Sequence, residues 1–151
     1  MNYELYDSIM IKQFVLSAVF FIVALLVGIL GWMYANDRKK RGDNGYVLYI
    51  LAAIAIICAI FLGGYAVSYL HDMINHSYIV YEGNFLVSNH AVNDKSTPSI
   101  YLLDKNNLQV DIGASKYYDF DLSAETYTGK LVYASKSKYV VDILSVVKCE
   151  E

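Results

Sequence analysis

The segment YANDRKKRGDNGY, residues 34–46, lies where two long stretches without charged residues, 13–36 and 44–70, approach each other in the chain. Each stretch exceeds the roughly 20 residues that an α-helix needs to cross the hydrocarbon core of a bilayer. A helix that is apolar on all faces is typically buried in a large core or in lipid. A chain of 151 residues is too short to build such a core around two helices of this length. The sequence therefore predicts a transmembrane hairpin with helices at 13–36 and 46–70.

Four consecutive basic residues lie in the connection between the helices: Arg38, Lys39, Lys40 and Arg41. They are a third of the 12 basic residues in a chain whose formal net charge is −3. Short loops rich in Lys and Arg remain in the cytoplasm, because the membrane potential and anionic lipid oppose their translocation. We therefore expect a cytoplasmic loop at 37–45 and an extracytoplasmic N-terminal tail at 1–12. This interpretation leaves no need for a nucleic-acid partner.

Small residues at helical spacing predict how the two helices pack, because helices in lipid approach each other through Gly and Ala. The first helix offers Ala24 and Gly28, and the second offers Ala55, Ala59 and Gly63. We expect these residues to form the seam of the hairpin, and docking of a partner's helix is the alternative. Neither apolar span contains an ionisable group, which argues against a transporter or a proton channel built by this chain alone.

Residues 77–148 differ in pattern from the apolar helices, with period-two alternation and frequent turn signals. This spacing predicts about seven short strands, arranged as a small all-β antiparallel domain, either a barrel or a sandwich. A short linker at 71–76 precedes the domain, and a tail at 149–151 follows it. With the connection inside the cell, the domain and both termini are extracytoplasmic.

Turn residues between strand patterns predict three β-hairpins in this domain. The turns fall at Gly83-Asn84, at 105–107 and at 136–137. Gly129 lies inside a strand pattern, which suggests a bulge at that position.

The sequence offers few candidate catalytic or metal-binding residues. The stretch DFDLSAE, 119–125, resembles the opening of an EF-hand calcium loop, but Ala124 replaces the required glycine and Lys130 replaces the final glutamate. On a strand the same spacing gives a solvated edge, which is the interpretation we favour. The three histidines lack zinc-binding spacing, and no nucleophile elbow is present. We therefore expect no catalytic residue, no metal and no cofactor.

Tyrosine is abundant, with 15 in the chain. Exposed tyrosine is enriched where proteins bind proteins or stack on sugars, and we favour a protein interface over a glycan site. Tyr117 and Tyr118 are adjacent, so on a strand at least one of them faces solvent, and Tyr127 lies in the following strand pattern. These three tyrosines are the predicted partner-binding residues.

The combined features favour a non-enzymatic membrane-anchored accessory or adaptor protein whose outward β-domain binds another membrane or envelope protein. An immunity or exclusion protein against a toxin, a bacteriocin or a phage is an alternative. A homo-oligomeric membrane pore is another. The composition resembles that of low-GC bacterial proteins, so the expected location is a bacterial plasma membrane, spanned more than once.

Overall fold

The computed structural model describes residues 2–90, 97–113, 119–120, 122–123 and 125–149, with the backbone only at 89, 90, 97 and 98. The chain divides into two compact units. The helical unit is Ile11–Leu70, and the sheet unit combines Met1–Met10 with His71–Glu151.

Two long helices account for the first half of the chain. Helix α1 is Tyr3–Lys40 and helix α2 is Tyr46–Ile74. Both are long and apolar enough to cross a membrane. Their large apolar side chains are mostly exposed: Leu30, for example, is 62% exposed and Ile60 is 68% exposed. Contiguous apolar surface of this kind is uncommon on soluble monomers. The two helices are therefore candidate transmembrane helices.

The connection between the helices is held by backbone geometry. Gly42 adopts a φ of 84°, and its N–H donates to Lys39 O while the Asp43 N–H donates to Arg38 O. These two bonds form a Schellman motif, which ends a helix at a residue with positive φ and so favours glycine. At the start of α2, the Asn44 side-chain oxygen accepts from the Tyr46 N–H at 3.2 Å.

The second half of the described chain forms one antiparallel sheet of five strands in the order β3-β2-β1-β4-β5. The strands are β1 Tyr78–His90, β2 Thr97–Leu102, β3 Leu108–Asp111, β4 Thr126–Ala134 and β5 Val140–Lys148.

The central strand β1 is continuous, so the predicted hairpin at Gly83-Asn84 is wrong. A two-residue hairpin of type I′ needs positive φ at both central residues, and Asn84 does not have it. Residues on both sides of Gly83 instead pair with β4, while the second half of β1 also pairs with β2. A side chain at 83 would displace Asp104 Oδ2 and the Tyr81 hydroxyl, which occupy the space beside the glycine.

The other two predicted hairpins are confirmed. Strands β2 and β3 pair across a short 3-10 turn in which Asn106 and Asn107 adopt φ of 53° and 56°. Strands β4 and β5 also pair as a hairpin. The bulge predicted at Gly129 is wrong, because Gly129 pairs in regular register with Val146. The register shifts of this strand pair fall after Lys130 and after Val132, and the extra residues belong to β5.

The sheet is open, whereas a barrel or a sandwich was predicted. A single layer curls until Asp111, at the end of β3, forms an isolated parallel bridge with Tyr139, just before β5. The Asp111 N–H donates to Lys138 O there at 2.8 Å. Because this is one point of contact and not a ladder, the edges of β3 and β5 are not joined into a closed barrel.

The curled sheet encloses its own apolar core. Alternate residues of β1, among them Tyr81, Phe85 and Val87, face inward together with residues from each of the four remaining strands. The opposite face is partly covered by the first residues of α1, where Tyr6 and Met10 are buried. Burial of both faces explains why Val132 and Ala134 of β4 are inaccessible although they alternate with core residues.

Candidate functional site

A polar and aromatic group lies where the start of α1 and the residues after α2 meet the start of β1, and we name it the helix-end cluster. It comprises Tyr3, Tyr6, Asp7, His76 and Tyr78. The Tyr78 hydroxyl donates to Asp7 Oδ1 at 2.5 Å, and His76 Nδ1 lies 3.1 Å from Asp7 Oδ2. One carboxylate therefore holds a phenol from the sheet and an imidazole from the end of α2.

Aromatic contacts accompany these polar contacts of Asp7. The ring of Tyr6 meets that of Tyr78 edge-on with centroids 5.4 Å apart, and Tyr3 lies 5.2 Å from the ring of His76. Desolvation, followed by the hydrogen bond to Asp7, raises the pKa of Tyr78. These contacts hold the helix ends against the start of the sheet.

His76 occupies a backbone position that usually carries glycine. Its φ is 46°, its N–H donates to Met73 O at 3.3 Å, and the Ser77 N–H donates to Asp72 O at 2.9 Å. This is a second Schellman motif, with His76 as its left-handed residue. The motif turns the chain out of α2 and directly into β1.

Asp72, in the last turn of α2, is completely buried. Its Oδ2 accepts from the Ser137 N–H at 2.7 Å, and its Oδ1 accepts from the Lys136 N–H at 2.9 Å. Successive backbone amides of a turn form a concave site for an anion, and here that anion is a side chain of the same chain. Asp72 thus fixes the turn that connects β4 to β5.

The outer edge of β5 differs from the rest of the sheet. In the described part of the chain, no strand pairs with β5 on the side away from β4, apart from the bridge at Tyr139. Two residues of β5 have no partner in β4. Val141 is skipped between the partners of Tyr133 and Val132, and Leu144 is skipped between the partners of Leu131 and Lys130. Residues 145–148 follow in regular register, and we name them the β5 outer edge. Leu144 is 51% exposed and Val147 is 68% exposed.

The predicted helix-packing residues lie at or near the contact between α1 and α2. A Cβ on Gly28 would lie 2.6 Å from Ile56 Cγ1 and 3.3 Å from Ala52 O, so the backbones approach closely here. Ala59 is buried, and a Cβ on Gly63 would meet the ring of Phe21 at 3.2 Å. Ala24 and Ala55 are partly buried. Gly64, in contrast, faces open space.

The four basic residues are exposed at the end of α1 and in the turn that follows it. The Arg41 guanidinium pairs with Asp37 at 2.7 Å, one helical turn earlier, and Arg38 donates to the Tyr34 hydroxyl at 3.2 Å. No other contact is needed to explain their positions, and their topological role remains a prediction.

The predicted partner-binding tyrosines have different outcomes. Tyr117 and Tyr118 lie outside the described residues. Tyr127 is buried in the core, where it stacks on Phe85 at 6.0 Å. The Tyr127 hydroxyl accepts from the Ser123 N–H at 2.9 Å. The candidate surface is therefore centred on β5 and not on this tyrosine.

The stretch that resembles a calcium loop is only partly described, since Asp121 and Ala124 lie outside the described residues. Glu125 pairs with Lys148 at 2.5 Å, and this hydrogen bond lowers the pKa of the Glu125 carboxyl. Among the described residues, no three His, Cys, Asp or Glu side chains converge in a way that could hold a metal ion. The expected absence of a metal stays a prediction.

Asp7, Asp72 and the β5 outer edge were not singled out from the sequence. One signal was present for Asp72: an acidic residue in the last turn of a helix opposes the partial negative charge of that terminus. Such a residue calls for a partner from elsewhere in the fold. Asp7 carried no comparable signal, because acids are common near helix N-termini.

The chain has no match to a known protein family, to a curated protein or to a solved structure.

Proposed function

We propose that this protein is a non-enzymatic membrane-anchored adaptor whose sheet unit binds another envelope protein outside the cytoplasm. Helices α1 and α2 anchor it in the plasma membrane, and the β5 outer edge receives an extended strand of the partner. The observation that carries the proposal is the exposure of Leu144 and Val147 beside a strand edge with which none of the described strands pairs, in a domain whose other described apolar strand residues are mostly enclosed.

The membrane anchor is supported by the surface of the helices. Their large apolar side chains are exposed, which in water promotes association and in lipid carries no such penalty. The exposed basic quartet between α1 and α2 supports a cytoplasmic connection by the positive-inside rule. Both termini and the sheet unit are then extracytoplasmic.

The choice of the β5 outer edge follows from how sheet edges behave. An unpaired edge presents free N–H and C=O groups that another strand can bind. Bulges distort edges and oppose such pairing, and those of β5 lie at Val141 and Leu144. Regular pairing is therefore possible along 145–148. Burial of a fully exposed Leu or Val contributes about 1.5–3 kcal/mol, and a partner that covered Leu144 and Val147 would gain the part that corresponds to their remaining exposure of 51% and 68%.

Site-specific photo-crosslinking in intact source cells tests the proposal. A photoreactive amino acid replaces Val147, and the matched control replaces Leu103, which is also exposed but lies in the 3-10 turn away from β5. We expect one envelope protein to be captured from position 147 and not from 103. Mass spectrometry should place the crosslink in an extended segment of that protein.

A second variant makes the result specific. Leu144→Lys places a charge next to the edge without altering the core, and it should abolish capture from position 147. A product of twice the chain's own mass would show self-association and contradict the adaptor. The absence of any product at 147 would overturn the proposed site.

A further inference from the structure

We infer that β5 is a coupling strand, which links the partner-binding edge to the ends of both membrane helices; this rests on the proposed function. Its last residues form the open edge. The turn before it is held by Asp72 of α2, and Asp142, its third residue, is contacted by Tyr6 of α1. Occupation of the edge and docking of the helix ends then depend on the same strand.

The contact with α2 is the stronger of the two. Asp72 is fully buried and accepts from the N–H groups of Lys136 and Ser137. A buried carboxylate at a helix C-terminus disfavours the helix electrostatically and costs desolvation. Those costs are offset mainly by the amide donors of the turn, and His71 Nδ1 lies 3.8 Å from Asp72 Oδ1 as a further polar neighbour. The end of α2 is therefore stable in this form only while the β4–β5 turn keeps its shape.

The turn itself requires this support. Lys138 adopts a φ of 58°, which is unfavourable for a residue with a side chain. The Lys138 N–H donates to Ala134 O at 3.0 Å, and its carbonyl accepts from Asp111 at the end of β3. Residues in such conformations persist where the surroundings over-determine them. Asp72 contributes to these surroundings through its bonds to the two residues before Lys138. Because β5 begins two residues after Lys138, the conformation of the turn affects where the strand starts.

The contact with α1 lies one step further along β5. The Tyr6 hydroxyl is 3.5 Å from Asp142 Oδ2, and Tyr6 is only 3% exposed. Asp142 pairs with Val132 in the sheet and precedes the bulge at Leu144 by two residues. A displacement of β5 at its open edge is therefore expected to move Asp142 and to alter its contact with Tyr6 of α1.

Coupling of this kind needs two states with different affinities for the partner. In the docked state Asp72 and Tyr6 hold the start of β5 in register, and the edge at 145–148 is straight and able to pair. In the undocked state the turn is released, the start of β5 frays, and the edge loses its register. Partner binding favours docking, and loss of docking weakens partner binding by the same factor.

Hydrogen–deuterium exchange on the full chain in lipid nanodiscs tests the intramolecular half. Asp72→Asn keeps the shape of the side chain and removes its charge. We expect amide exchange to accelerate by about tenfold both in 140–148 and in 3–10, with the β1–β2 ladder unchanged. Asp43→Asn, the same change in the exposed loop between α1 and α2, is the control and should alter neither segment.

Acceleration that is confined to residues 136–137 would overturn the inference, because Asp72 would then be a local clamp without influence on β5. If Asp72→Asn accelerates exchange throughout the sheet, Asp142→Asn decides instead. This milder variant should accelerate exchange in 3–10 and in 145–148 together, and a change in only one of these segments contradicts coupling.

The crosslinking probe at position 147 tests the intermolecular half. Capture of the envelope protein by the photoreactive chain should fall by about tenfold when Asp72→Asn is added, and stay unchanged with Asp43→Asn. Equal capture with and without Asp72→Asn would overturn coupling while leaving the adaptor intact. No capture by the unmodified edge would instead remove the adaptor, and the exchange experiment would still judge the coupling strand.

Discussion

The Tyr78 hydroxyl donates a 2.5 Å hydrogen bond to Asp7 Oδ1, and this bond joins the start of the sheet to the second turn of α1 although the two residues are 71 positions apart. Tyr78 is nearly buried, with 9% exposure. Burial and the neighbouring carboxylate both raise the pKa of the Tyr78 phenol. The N-terminal residues are thus part of the folded sheet unit.

Removal of this bond should destabilise the sheet unit. Tyr78→Phe leaves Asp7 Oδ1 without the phenol donor while His76 still contacts Oδ2, and we expect the free energy of unfolding to fall by about 1–2 kcal/mol. The measurement is the apparent melting temperature in mild detergent at neutral pH. Tyr46→Phe removes an exposed hydroxyl in the helical unit and is the control.

The same tyrosine predicts the alkaline limit of stability. Because the pKa of Tyr78 is raised by folding, the folded state holds the phenol proton more tightly than the unfolded chain does. The resulting stabilisation is complete below the ordinary tyrosine pKa of about 10 and is lost as the pH rises through the folded value. Burial also raises the pKa of Tyr81 and Tyr139, so they contribute to the same decline.

The melting temperature should therefore begin to decrease above about pH 10 and continue to decrease as the pH rises further, and the decrease should be smaller in Tyr78→Phe. An identical alkaline decrease in the variant and the unmodified chain would show that Tyr78 does not contribute to it.

The seam of the helical unit can be tested with two glycines of one hairpin. Gly28→Val forces a branched side chain against Ile56 and the Ala52 carbonyl, so the helices must separate. Overpacking of this kind costs about 1–3 kcal/mol. Gly64→Val introduces the same side chain where no atom lies within 4 Å.

We expect a clear fall in the apparent melting temperature for Gly28→Val and little change for Gly64→Val. If the Gly64 variant is the more destabilised, the exposed face of α2 carries a contact with another molecule, and the seam is not the limiting element.

The orientation in the membrane is tested by labelling Cys149. Its thiol is partly exposed and lies 3.2 Å from the Thr128 hydroxyl, whereas Cys58 lies in the middle of α2. A maleimide that cannot cross membranes should modify Cys149 in intact cells, and Cys149→Ser should abolish the signal. Labelling that requires lysis would place the sheet unit in the cytoplasm and remove the proposed adaptor.

The basic quartet should determine that orientation. Replacement of Arg38, Lys39, Lys40 and Arg41 by glutamine removes the retention signal. Part of the population should then insert with the opposite orientation, and labelling of Cys149 in intact cells should decrease. Unchanged labelling would show that another part of the chain sets the topology.

Local features of the sequence were sufficient for much of the fold. Long uncharged runs predicted α1 and α2 because helix length and apolar composition are properties of one segment. The asparagines at 106 and 107 indicated a turn because a tight turn is a local requirement of the backbone. The hairpins β2–β3 and β4–β5 followed, since their strands are neighbours in the chain.

Only the tertiary structure decided the rest. Gly83-Asn84 resembles a turn locally, yet β1 runs straight through it because β2 and β4 pair along its two edges and Asp104 fills the space beside Gly83. Tyr127 is a core residue because the pairing of β4 with β1 places its ring on that of Phe85. The contacts of Asp7 with Tyr78 and of Asp72 with Lys136 join positions that are distant in the chain. No local periodicity encodes such pairs, because their free energy exists only once the sheet has brought them together.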